Sequence, residues 1–149
     1  MKESWSIMTL ISGALFAAGV VPIALERAPA WRAADHATFR AEFAHTLRRM
    51  DRLQPALLLA CVASTTGFAV TASGTPRALA VLAASCFAAV LAGSTAGLVP
   101  IQRRLTDPQS DLSAADVERL RARWLSGHLI RTAIALAAFA MLAGAAAVA

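Results

Sequence analysis

The sequence predicts an all-α fold: an integral membrane four-helix bundle with an amphipathic helix between spans one and two and a long final helix. Three observations lead there. Hydrophobic residues make up 58% of the 149-residue chain and charged residues only 15%, well below the quarter or so usual in soluble domains. The apolar residues fall into four runs, each close to the length a helix needs to cross a bilayer. Except for Arg131, the arginines flank those runs rather than lying inside them.

Taken in order, the chain reads as one transmembrane domain over residues 1–149, with spans at about 5–25, 55–72, 77–99 and 127–148 and polar loops at about 26–53 and 102–126. Lys2 followed by an apolar run has the outline of a signal peptide, but the run is long enough to span and no small-residue cleavage site follows it. Pro22 near the end of the first span should kink it or loosen its last turn, freeing carbonyls beside Glu26. From Glu26 to Leu53 the residues Phe39, Phe43, Leu47, Met50 and Leu53 recur at helical spacing, so this polar segment is an amphipathic helix rather than a linker. Its other face carries Glu42, His45, Arg49 and Arg52. Such a helix either lies in the membrane interface or extends the second span into the cytoplasm.

Pro55 suits the first turn of the second span, which the turn formers Ala72, Ser73, Gly74 and Thr75 end, and Pro76 opens the third. Gly93 and Gly97 in the third span are spaced to let a neighbouring helix approach closely, and the alanine-rich spans offer small-residue faces for a homo-oligomer. Pro100 should close that span. Ser113 with Asp116 three residues later resembles a capping box, so the long final helix should begin there. Cys61 and Cys86 lie within separate apolar runs and read as small hydrophobes, although the sequence does not fix whether they pair.

The net charge of +5 and a pI near 11.0 would suit nucleic acid if the arginines formed a patch with interleaved aromatics, and they do not. They read as topology signals. Six of the 14 basic residues fall between Glu26 and Leu53 and five between Gln102 and Gly127, against Lys2 and Arg77 on the other side. The positive-inside rule therefore makes loops one and three cytoplasmic and puts both termini outside the inner or plasma membrane.

Where the last span begins, Trp124, His128 and Arg131 fall within an arc of about 60° on a helix turning 100° per residue, and they continue the stripe of Val117 and Leu120. The cluster thus faces the packed interior. Trp124 and Arg131 have ordinary uses as interfacial anchors, but a shielded histidine needs partners for both ring nitrogens. His128 is the leading functional candidate, with Arg131, His45, Gln102 and Glu26 around it. The three histidines carry no metal-binding spacing, yet His45 and His128 both stand on helices entering from the same side, where a shared haem iron or copper is chemically reasonable. No nucleotide loop, nucleophilic serine motif or pair of buried carboxylates is present.

The run Leu98, Val99, Pro100, Ile101, Gln102, Arg103, Arg104, Leu105, followed by Trp124, His128, Arg131 and Thr132, resembles the anthrone oxygenase-like family of small four-helix membrane proteins. In that family a proline ends the third helix and is followed by an asparagine and basic residues, while the fourth opens on a tryptophan, then an Asn or His, then an Arg. Gln102 departs from the asparagine, so its amide must reach one methylene further. The resemblance implies a four-helix fold and an oxygenase that turns a polyketide anthrone into an anthraquinone with molecular oxygen. It leaves the cofactor open between haem, copper and none.

The reading is a membrane-embedded oxidoreductase acting on a lipophilic aromatic or other small secondary metabolite from a cytoplasmic-side pocket, the lipid bilayer its other partner. In it His128 is a general base or metal ligand, Arg131 stabilises an oxyanion, Trp124 and Gln102 position the ring, and His45 and Glu26 assist. The alternative is a non-catalytic membrane accessory or small-ligand-binding protein. A transporter fits less well, since no inverted repeat or mid-span charge is visible.

Overall fold

The computed structural model describes residues 2–50 and 53–148, with the side chains of Lys2 and Arg49 outside that description. It is helical throughout, without strands among the described residues. Helix α1 (Lys2–Pro22) passes through a π-helical turn (Ile23–Arg27) into α2 (Ala28–Ala33), and after a short break comes α3 (His36–Met50). Then follow α4 (Leu53–Thr71) and α5 (Gly74–Gly93). A second π-helical turn (Ser94–Leu98) leads into α6 (Val99–Thr106), and α7 (Ala114–Ala147) completes the fold. Four helical stretches, Glu3–Ala33, Leu53–Thr71, Gly74–Thr106 and Ala114–Ala147, are long and apolar enough to cross a membrane. Ile7, Met8, Ile11 and Leu15 of α1 and Leu59 and Val70 of α4 point outward, a surface that suits lipid and not water.

Both π-helical turns stand beside prolines. The first follows Pro22, and Pro29 lies in the first turn of α2. The second precedes Pro100, which does not close the third span as expected: it lies in the first turn of α6, and the π-helical turn before it accommodates the helical hydrogen bond that its missing N–H cannot make. Gln102, Arg103 and Arg104 are consequently helical rather than in a loop. Between α4 and α5 the chain reverses at Gly74, whose φ of +60° an L side chain would resist. Ser113 caps α7 as expected, its Oγ accepting from Asp116 N at 3.1 Å and donating to the Asp116 carboxylate at 2.7 Å.

Two hydrophobic cores are stacked along the molecule. The first fills the space between α1, α4, α5 and the second half of α7 with Phe16, Val20, Phe68, Phe87 and Leu142 among small residues such as Ala80, Ala83 and Ala138. Ser12 and Ser64 share a hydrogen bond at 3.1 Å across the α1–α4 contact, with Thr9 Oγ1 reaching Thr65 Oγ1 at 3.5 Å beside it. Cys61 and Cys86 are both free. Gly93 and Gly97 have nothing within 4 Å of a Cβ built on them, so within the chain they do not seat a helix as their spacing suggested. The close approaches lie elsewhere: a Cβ on Gly13 would meet the Phe139 ring at 2.7 Å, and one on Gly127 would meet Leu98 Cδ2 at 2.6 Å.

The second core is aromatic and caps the loop end of the bundle. Phe39, Phe43 and Leu47 of α3 are buried there as the helical spacing predicts, against Trp31, Leu105 and Trp124. Thus α3 folds back over the bundle mouth. Leu53, counted on the same stripe, is exposed at the start of α4, while Glu42 and His45 face outward; the Arg49 side chain and Arg52 lie outside the described residues. Asp35 starts α3, accepting from Ala37 N and Thr38 N at 3.0 and 2.9 Å and from Thr38 Oγ1 at 2.7 Å. The bonds from Thr38 hold its carboxyl below the usual carboxylate range.

Two arginines that read as topology signals also fasten this cap. Arg121, buried, donates from Nη1 to the Trp31 and Ala34 carbonyls at 3.0 and 2.7 Å, pairs with Glu118, and lies 5.3 Å over the Phe39 ring. It thereby satisfies carbonyls left open at the end of α2. Arg40 does the same for α6, donating from Nε to Leu105 O at 3.1 Å and from Nη2 to Asp107 O at 2.8 Å. Removing the middle of the cap tests its weight: Phe43→Ala should cost about 3–5 kcal/mol. The outward Val70→Ala should stay within about 0.5 kcal/mol. Both are measured by denaturant titration in mixed micelles followed by circular dichroism.

Candidate functional site

Where the two cores meet, α7 presents the residues that the sequence singled out. Val20 near the end of α1 lies just before the first π-helical turn, and its carbonyl accepts a hydrogen bond from His128 Nε2 at 3.1 Å. Arg131 Nε donates to His128 Nδ1 at 3.1 Å. Because a guanidinium only donates, Nδ1 must carry the lone pair and Nε2 the proton, so the ring is the neutral Nε2–H tautomer. Trp124 stacks on the imidazole at 5.0 Å and 11°, and is itself held edge-on by Phe43 at 4.8 Å and Trp31 at 5.9 Å.

His128 is 0% exposed and lines neither of the two cavities beside it. Its place is behind Arg131. Trp124 is 1% exposed, a core residue of the cap and not an interfacial anchor. Its indole nitrogen and that of Trp31 lack a partner among the described residues.

Arg131 reaches both cavities, and so does Ser94 of the second π-helical turn. One cavity, of about 310 Å³, is a mostly apolar groove between α5 and α7 that passes the bare Gly93 and Gly97. The other, of about 350 Å³, lies between α1, α4, α6 and α7 and is polar on one side, with Gln54, Ser94, Thr95, Gln102, Arg103, Thr106 and Arg131 in its wall. This is the size of a small-ligand site. With Nε committed to His128, the Nη pair of Arg131 remains, and it has no ion-pair partner among the described residues. A half-buried guanidinium fork of this kind is suited to an anionic oxygen.

Among the members of this wall that the sequence missed, two are buried and unpaired. Gln54 is 7% exposed, with neither Nε2 nor Oε1 paired, and Ser94 is 9% exposed, with Oγ unpaired. The available signal for Gln54 was an amide one residue before the proline that opens an apolar span, a polar group where burial is costly. The remaining candidates lie outside the cluster: Glu26 and His45 are both exposed.

The residues present do not fit a histidine-ligated haem or copper. Both ring nitrogens of His128 are engaged, His45 faces outward, and no three His, Cys, Asp or Glu side chains among the described residues converge on one point. The tautomer can be tested directly. Nitrogen-15 NMR of the histidine-labelled protein should give His128 a protonated Nε2 and a bare Nδ1, and a protonated Nδ1 would dismiss the bond from Arg131. His128→Ala, which orphans the Val20 carbonyl and Arg131 Nε, should lower stability by about 1–3 kcal/mol beyond the loss of packing.

The family model described as anthrone oxygenase matches residues 43–141. That stretch holds Gln54, Ser94, Gln102, Trp124, His128 and Arg131, while Val20 and Trp31 precede it. No curated protein and no solved structure matches the chain. With the family model covering about two thirds of its length, and with four apolar helices arranged around a polar cavity, the chain belongs to the anthrone oxygenase family.

Proposed function

We propose that the chain is a membrane-embedded oxygenase that takes a lipophilic aromatic ketone from the bilayer into the polar cavity and oxidises a ring methylene with molecular oxygen. The single observation that carries the reading is Arg131. Arg131 lines the cavity without an ion-pair partner among the described residues, and its Nε is held by His128. By the charge distribution between the spans, the end that holds this cavity lies on the cytoplasmic side.

A methylene conjugated to an aryl ketone becomes acidic when the charge it leaves on the carbonyl oxygen is stabilised. Arg131 supplies that stabilisation, and a donor held before the reaction needs no reorganisation as charge develops. The carbanion carbon then bonds to one atom of O₂, and the resulting peroxide anion takes a proton back from water to give a hydroperoxide. Loss of water from it leaves a new ring carbonyl, so CH₂ and O₂ become C=O and H₂O, a four-electron oxidation of carbon matched by four-electron reduction of dioxygen.

A general-base role for His128 needs a free lone pair, and the lone pair at Nδ1 accepts from Arg131. His128 therefore enters as a positioning residue, with Trp124 fixing the plane of its ring. Neither cavity is lined by a carboxylate or histidine, so the substrate proton leaves to water through the cavity mouth. The rate should accordingly rise with pH, tenfold per unit, until the bound substrate is ionised, with the acidity set by Arg131.

The reading is tested with the protein in nanodiscs and anthrone as substrate, following dioxygen uptake and quinone absorbance above the uncatalysed rate. Arg131→Ala should lower kcat/KM by about 10²–10³-fold, and His128→Gln should lower kcat more than it raises KM. Full activity in Arg131→Ala would sink the mechanism. Saturable binding of anthrone without turnover would favour the other reading, a ligand-binding protein, which the absence of a lining base also suits.

A further inference from the structure

The proposed oxidation uses the polar cavity and leaves the groove between α5 and α7 without a role. One side of this groove is Ala89, Gly93, Gly97 and Ile101, at four-residue steps, and the other carries Arg123, Ile130, Arg131 and Ile134. Leu98 lies against Gly127 and Leu79 against Gly144, so the two helices run antiparallel and Arg123 stands at the Ile101 end, the loop end of the bundle. Arg131 lies deeper, but its side chain turns back toward the same end to reach His128. Beyond the arginines the groove is walled by apolar and small residues. Gly93 and Gly97 are exposed, a Cβ on either would meet nothing within 4 Å, and Ile130 is 62% exposed. The groove therefore opens sideways, onto the surface that apolar helices turn to lipid. At about 1.5 Å per residue, Ala89 to Ile101 is roughly 18 Å long, close to one leaflet of a hydrocarbon core about 30 Å thick together with its polar boundary.

We infer that this groove binds an anionic glycerophospholipid of the leaflet at the loop end, with one acyl chain laid along Gly97, Gly93 and Ala89 and the headgroup phosphate on Arg123. The inference rests on the four apolar helices crossing a bilayer and not on oxygenation. Arg123 makes no hydrogen bond or ion pair among the described residues, and no carboxylate lines the groove with it. A guanidinium placed at the headgroup level is matched by a phosphate, which accepts two of its N–H groups at once. Arg131 adds a second positive charge nearby, and basic residues at the membrane surface favour anionic over zwitterionic lipid. Glycine is a poor helix former, and at Gly93 and Gly97 no close contact within the chain requires one; their bare backbone keeps the groove wide enough for a chain of methylenes. A second copy seated here about a two-fold axis would instead bring both Arg123 side chains to one seam with no carboxylate between them.

The test is native mass spectrometry of the full chain released from detergent micelles, with two probes that share their acyl chains, dioleoylphosphatidylglycerol and dioleoylphosphatidylcholine. The unsubstituted protein should retain phosphatidylglycerol about tenfold more strongly, the worth of one charge-assisted hydrogen bond. Arg123→Gln, which lies outside the proposed mechanism, should bring that ratio to about 1. Gly93→Leu, whose side chain has open space to enter, should weaken retention of both lipids by a similar factor. Circular dichroism shows that each variant is folded. Millimolar inorganic phosphate should leave the lipid in place; complete displacement would reduce the groove to a site for free anions and overturn the inference. Equal retention of the two lipids, a preference that survives Arg123→Gln, or retention that Gly93→Leu leaves unchanged would overturn it too. So would a dimer that Gly93→Leu dissociates, which would give the groove to a second copy. These outcomes are read without dioxygen or turnover, so they are distinct from a failure of Arg131→Ala to affect oxidation.

Discussion

The structure depends on one buried ring. His128 stands at the level where the small-residue core of the bundle gives way to the aromatic core of the cap, and it touches both. Its Nε2–H ties α7 to the α1 carbonyl at Val20, its face carries Trp124, and its Nδ1 takes the N–H that orients Arg131. A neutral imidazole has one donor and one acceptor, and here each is used once, in nearly opposite directions. Arg131, the cation of the proposed mechanism, is consequently aimed by a residue that lines neither cavity. What looks from the sequence like a reactive histidine is, in that proposal, the joint that holds the arginine.

The prolines and the wide helical turns serve the same arrangement. A π-helical turn breaks the regular register and lets a helix re-aim its side chains and carbonyls without ending. The turn after Pro22 lies beside the carbonyl that His128 uses, and the turn before Pro100 carries Ser94 to both cavities. Beyond them, α2 and α6 continue out of the bundle and support α3. Their open carbonyl ends are closed by Arg121 and Arg40. The cap is thus built from charged residues placed where positive charge and unpaired carbonyls meet.

Much of this was legible in the sequence, and the parts that were not share a cause. The four apolar helices, the helical stripe of Phe39, Phe43 and Leu47, and the Ser113 cap follow from periodicity and local chemistry, which need no knowledge of the partner. The facing of Trp124, His128 and Arg131 follows from helical spacing alone. Gln54 and Ser94 could not be read this way, because their importance lies in what they fail to touch. Gly93 and Gly97 are the converse case: their spacing describes a surface, and only the fold decides that within the chain this surface borders a groove while Gly13 and Gly127 take the close contacts. Pro100 was read as a stop because a regular helix was assumed before it.

The half-buried guanidinium of Arg131 has a consequence for the energetics of the empty protein. Charge that is partly withdrawn from water and paired with no carboxylate among the described residues raises the free energy of the native state, and it does so in the same place where an amide and a hydroxyl are also unsatisfied. The occupant of the cavity is then more than a cargo. An occupant that took on negative charge there would be the missing counter-ion of the bundle, and folding and occupancy would then be linked equilibria in which each favours the other.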